Sequence, residues 1–237
     1  MPRKITLALF IALACWCVPH KTLAALPGLA DETWTTDFRL EKDELTSKGR
    51  NPYFILEPGY YLVLAGGTEQ NIITVLDSTK VIDGVETRIV EERETNKGEL
   101  VEISRNFFAI SKRTNNVYYF GEEVDIYEHG KLAKHDGAWQ SGSNGAKFGL
   151  MMPGTALLGA RYYQELAPKV AMDRAEVVGL NEAVSSPAGN FKDCVKMVET
   201  TPLEKDIGQK YYVSGIGLVQ DDELKLARYG YAPKATK

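Results

Sequence analysis

The chain has 237 residues, 44% of them hydrophobic, with 28 Lys and Arg against 32 Asp and Glu for a formal net charge of −4. This is enough chain and enough apolar side chain for one large buried core. The acidic balance, with no Lys/Arg cluster interleaved with aromatics, argues against a nucleic-acid partner, because a surface that tracks phosphates must be basic.

At the N-terminus, Arg3 and Lys4 precede an apolar run from Ile5 to Val18, and Thr22-Leu23-Ala24 puts small residues where a signal peptidase reads. Residues 1–24 therefore read as a secretory signal peptide cut after Ala24. The run is shorter than the ~20 apolar residues of a membrane span, and none is expected in the mature chain. Lipid anchoring through Cys15 or Cys17 is the alternative, although Ala12-Leu13-Ala14-Cys15 has its large and small residues in the wrong order for a lipobox. Export to the periplasm or the extracellular medium is expected. The cut removes Arg3, Lys4 and Lys21, which takes the net charge to −7, and leaves Cys194 as the one cysteine, so the fold must be held by its core rather than by a disulfide.

Residues 25–50 make an N-terminal arm. The spacing of Trp34, Phe38 and Leu45 fits a short amphipathic helix over Asp37 to Ser47, or equally an irregular arm pinned by two aromatics. An antiparallel β domain is expected over 51–230, with Pro58-Gly59 as a turn and Tyr60 to Ala65 as its first strand. Gln70 to Trp139 reads as a β-meander. Asp83-Gly84, Asn96-Lys97-Gly98, Asn115-Asn116 and Glu128-His129-Gly130-Lys131 separate runs of period-two alternation, such as Val85, Thr87 and Ile89 on one face.

Phe148 to Gly159 reads as an irregular crossing segment whose Met151, Met152, Leu157 and Leu158 line an apolar pocket or plug an open sheet end. Tyr162–Leu166, Glu176–Ala183, Phe191–Thr201, Gln209–Ser214 and Leu218–Tyr229 read as strands, Ala171 to Ala175 as a helical turn, and residues 231–237 as a disordered tail. The fold class is mainly β: a single curved antiparallel sheet, half-open barrel or sandwich-like, with one or two short helices.

No catalytic constellation stands out. His129 and His135 flank a turn and lack the third and fourth ligands of a zinc site, and neither accompanies a Gly-x-Ser-x-Gly serine. Cys194 lies inside a strand and reads as a buried, inert thiol. The acidic runs Glu91-Glu92, Glu122-Glu123 and Asp221-Asp222-Glu223 read as solvated faces, with a glycosidase-like carboxylate pair as the functional alternative. No cofactor and no metal is expected. The aromatics fall in adjacent pairs, so strand alternation sends one ring to each face; in a half-open barrel the second rings line a concavity.

Three stretches, Asn51-Pro52-Tyr53-Phe54-Ile55-Leu56-Glu57-Pro58-Gly59, Asn116 to Glu122 (NVYYFGE) and Lys210 to Val219 (KYYVSGIGLV), together resemble a family of uncharacterised exported bacterial proteins. The closing stretch is also similar to exported half-barrel carriers of lipids and lipoproteins. The resemblance implies a concave apolar face and supplies no catalytic residues. The expected function is that of an exported, non-enzymatic binding protein with a small apolar, amphipathic or lipid-like ligand, lined by Tyr119, Met151, Met152 and Tyr212. The alternatives are a structural or protein-interaction module of the cell envelope and a carboxylate-dependent hydrolase.

Overall fold

The computed structural model describes residues 34–232. The signal peptide expected over residues 1–24, the first part of the arm and residues 233–237 lie outside the described residues. In chain order the strands are β1 (Leu45–Thr46), β2 (Gly49–Asn51), β3 (Phe54–Leu56), β4 (Tyr60–Gly66), β5 (Glu69–Ile82), β6 (Val85–Asn96), β7 (Glu99–Ser111) and β8 (Val117–Glu128). These are followed by β9 (Lys131–His135), β10 (Trp139–Gln140), β11 (Lys147–Met152), β12 (Arg161–Tyr163) and β13 (Glu165–Leu166). The last five are β14 (Arg174–Ser186), β15 (Gly189–Thr200), β16 (Ile207–Val213), β17 (Gly217–Asp221) and β18 (Leu224–Tyr231).

All but β2 and β3 belong to one curved antiparallel sheet, in the order β12-β14-β15-β16-β17-β18-β4-β5-β6-β7-β8-β11-β13. The two ends of that order are one piece of chain. β12 pairs with β14, and β13, one residue further on, pairs with β11. The segment 161–166 thus joins the two free edges, and the sheet is nearly closed like a barrel, which removes the exposed edges a long open sheet would present.

The expected turns form for local reasons. Asp83 and Gly84 take φ of 50° and 78°, and Lys97 and Gly98 take 52° and 80°. Positive φ at both positions matches the right-handed twist of the flanking strands. Other expectations are corrected. The helix over Asp37 to Ser47 is absent: Trp34 and Phe38 go to different partners, Trp34 edge-on to Tyr163 and Phe38 edge-on to Tyr118. Only a 3-10 turn at Lys42–Glu44 remains before Leu45 pairs with Ser111 in the sheet. The helical turn at Ala171 is instead a bridge to Ala167 that leads into β14. Phe148 to Met152, the first part of the segment expected to be irregular, lies in strand β11 against β8. The run Leu218–Tyr229 is two strands, with Asp222 at φ 46° turning the chain between them. Tyr231, placed in the tail from sequence, ends β18, and its hydroxyl donates to Glu57 Oε2 at 2.5 Å.

The β2–β3 hairpin plugs one end of the barrel. Phe54 packs edge-on against Phe108 with centroids 5.0 Å apart, and Leu56 is fully buried. Asn51, also fully buried, donates through Nδ2 to the carbonyls of Asn115 at 2.8 Å and Pro153 at 2.9 Å, while its Oδ1 accepts from the Tyr53 amide at 2.7 Å. One side chain therefore satisfies carbonyls from two loops that no ladder reaches. Arg88 does the same at the irregularity between Val75 and Thr79 on β5, donating to Asp77 O at 2.8 Å and Ser47 O at 2.9 Å.

Candidate functional site

Above the plug the barrel is hollow, with an interior cavity of about 1110 Å³. Its walls follow from strand alternation. Cross-strand partners share a face, and the registers Asn71↔Glu94, Glu92↔Ser104, Glu94↔Glu102, Asn106↔Glu122 and Phe108↔Tyr119 put one row from each of β5, β6, β7 and β8 inside. On the opposite side, β15, β16 and β17 contribute Glu199, Lys210 and Asp221. Phe108, Tyr119 and Met151 lie toward the plug. Glu128, Lys134, Lys169, Leu203 and Glu204 stand at the open mouth.

The lining is strongly acidic: twelve carboxylates against three lysines and no arginine. The outer face of the same strands is built differently. There Glu91 lies 3.6 Å from Arg105, Arg105 lies 3.1 Å from Asp125, Asp125 bonds His135 at 2.7 Å, and Lys80 pairs with Glu123. The acidic runs read from sequence as solvated faces are therefore split. Glu91 and Glu123 face out and are paired with cations, while Glu92, Glu122, Asp221 and Asp222 line the cavity.

One internal ion cluster sits in the wall. Lys210 Nζ lies 2.8 Å from Glu199 and 3.9 Å from Asp221, and what exposure these three side chains keep is to the cavity. Burial opposes the charge on Lys210, but Asp221 and Glu199 override it and hold the ammonium's pKa well above its usual value. Burial pushes Asp221 up to about 7; Lys210 opposes this, but its close contact is with Glu199, and the charges of Glu199, Asp222 and Glu92 add to the rise. Gln164 donates to Glu199 Oε1 at 2.9 Å and to Met151 Sδ at 3.6 Å, tying this cluster to the floor.

A second network crosses β5 to β8. Tyr119 donates to Asn106 Oδ1 at 2.5 Å, Asn106 donates to Ser104 Oγ at 3.2 Å and Glu92 Oε1 at 3.4 Å, and Asn71 donates to Glu92 Oε2 at 3.0 Å. Burial and the nearby Glu122, Glu165 and Glu92 carboxylates push the Tyr119 hydroxyl's pKa well above its ordinary value, so it stays a donor.

Of the four residues expected to line a pocket, Tyr119 and Met151 reach the cavity. Met152 is fully buried outside it, and its carbonyl faces Asn51 Nδ2. Tyr212, also buried, packs within the wall beside Lys210. Leu157 and Leu158 are exposed on the loop before β12. Sequence reasoning missed the acidic interior. Its signal was the adjacency Glu91-Glu92 and Glu122-Glu123 within strands, which alternation must separate. Cys194 is fully buried in β15, with its thiol pushed up by burial. Among the described residues no group of three or more His, Cys, Asp and Glu is placed to hold a metal ion, and no helix is long and apolar enough to cross a membrane. No protein-family model, curated protein or solved structure matches the chain.

Proposed function

We propose that the protein is an exported, non-enzymatic binding protein that holds a small molecule inside its barrel. The observation that carries this reading is the cavity of about 1110 Å³, floored by Phe108, Tyr119 and Met151 and walled by long strands. A volume of this order, with a few placed polar groups on a rigid scaffold, is what ligand sites in barrels provide. The mixed lining favours a polar or amphipathic ligand over a wholly apolar one. The test is native mass spectrometry of the protein purified from its own periplasm or medium, before and after organic and high-salt extraction. A reproducible non-covalent adduct lost on extraction is expected. A bare mass, together with failure of the extracted protein to take up any component of a crude extract, would overturn the reading.

A carboxylate-dependent hydrolase is the second reading, favoured by the raised pKa of Asp221 beside the Glu199 charge. It would show as turnover of chromogenic glycosides that disappears in Asp221→Asn.

A further inference from the structure

If the cavity is the ligand site, its lining also selects the ligand's charge. Twelve carboxylates against three lysines give the lining a formal charge of −9. The chain without residues 1–24 carries −7, so the residues outside the lining carry +2 by difference. The protein's net negative charge is thus concentrated inside the barrel, where low-dielectric walls strengthen it.

Charge alone does not make a site; hydrogen-bond direction adds the second observation. In the network across β5 to β8 the amide and phenol donors turn to neighbours: Tyr119 to Asn106, and both Asn106 and Asn71 to Glu92. Asn71 is only 6% exposed and lines the cavity, yet its Oδ1 has no hydrogen-bond partner. A buried acceptor left unfilled is costly, so a ligand with an N–H to give is favoured there. Glu92, whose carboxylate accepts only amides, has no ion pair among the described residues. On the opposite wall the protein seats an ammonium of its own, Lys210 between Glu199 and Asp221. The two seats share one cavity.

We propose that the cavity binds a small organic polycation with two or more ammonium groups, one of them seated between the Glu92 carboxylate and the Asn71 carbonyl oxygen. The remaining ammonium groups lie along the carboxylate wall, and the aliphatic links between them lie against Phe108 and Met151. This ligand class rests on the binding reading above, and the experiment separates the two.

The experiment is isothermal titration calorimetry of the extracted full chain at physiological salt, with spermine, magnesium chloride and the neutral probe N-phenylnaphthylamine as titrants. Saturable spermine binding is expected, weakened at least about tenfold in Glu92→Gln and in Asn71→Leu. It should be unchanged in Glu91→Gln, the adjacent outward carboxylate. Circular dichroism shows which variants fold, and either inward variant suffices. Spermine binding that Glu92→Gln and Asn71→Leu leave intact, or that magnesium matches at equal charge, is diffuse attraction to acidic residues and overturns the proposal. Uptake of the naphthylamine without spermine overturns the polycation while leaving a binding protein. Binding of none of the three defeats the polycation, and the adduct measurement then decides the binding reading separately.

Discussion

The adjacent carboxylates of β6 have opposite roles. Glu91 faces an arginine on the outer wall, whereas Glu92 faces only amides on the inner one. Asp221 is the residue whose placement has the clearest consequence for stability. Its pKa rises from 3.8 to about 7 in the folded protein, so between those values the folded state binds more protons than the unfolded chain. Its contribution is therefore fully present below pH 4 and is lost as pH rises through 7. Glu57, Asp83 and Asp125 are shifted the other way, and their stabilisation is lost only toward the acid end. The melting temperature should accordingly fall from pH 5 to pH 8, and Asp221→Asn should flatten that slope and gain about 2 kcal/mol at pH 8, after allowance for cavity water. Thermal melts at the two pH values check this, and an unchanged slope in the variant would contradict it. The alternation that separates Tyr118 from Tyr119 in the sequence separates Glu91 from Glu92 as well. What the sequence does not contain is which face is inside, since both faces of β6 are rich in charge.

Two elements decide whether the sheet becomes a barrel. The seam depends on β11 lying against the chain at 163–164. A Cβ at Gly149 would sit 2.4 Å from the Gln164 carbonyl carbon and 2.5 Å from Tyr163 O, a backbone approach that only glycine permits. Gly149→Ala should destabilise by about 3 kcal/mol in urea unfolding. Asn51→Ala, which strips the plug of its contacts to Asn115, Pro153 and Tyr53, should destabilise by about 2–4 kcal/mol. Losses below 1 kcal/mol in both would mean that the seam and the plug do not hold the fold. The meander was legible because its turns carry Asp-Gly and Lys-Gly pairs between alternating runs. The Asp222 turn was hidden inside an acidic run, and Phe148 to Met152 lacks alternation because Met151, between Leu150 and Met152, is apolar although it lines the cavity.

At the scale of the whole molecule, the chain folds into a vessel with an apolar plug at one end, ion pairs outside and acid inside. The curved antiparallel sheet followed from strand count and turn spacing. Its near-closure did not, because it depends on residues 161–166 meeting strands from distant parts of the chain. The sign of the interior followed only once closure had assigned the inner faces. The most direct test of a ligand-binding interior is an NMR titration with spermine that follows the side-chain amide signals of Asn71, Asn106 and Gln164, all three on the cavity wall. The account predicts that these signals shift together and saturate while Asn51 in the plug and the exposed Asn181 stay still. Shifts confined to Asn181 and other outer residues, with the three wall amides unmoved, would contradict it.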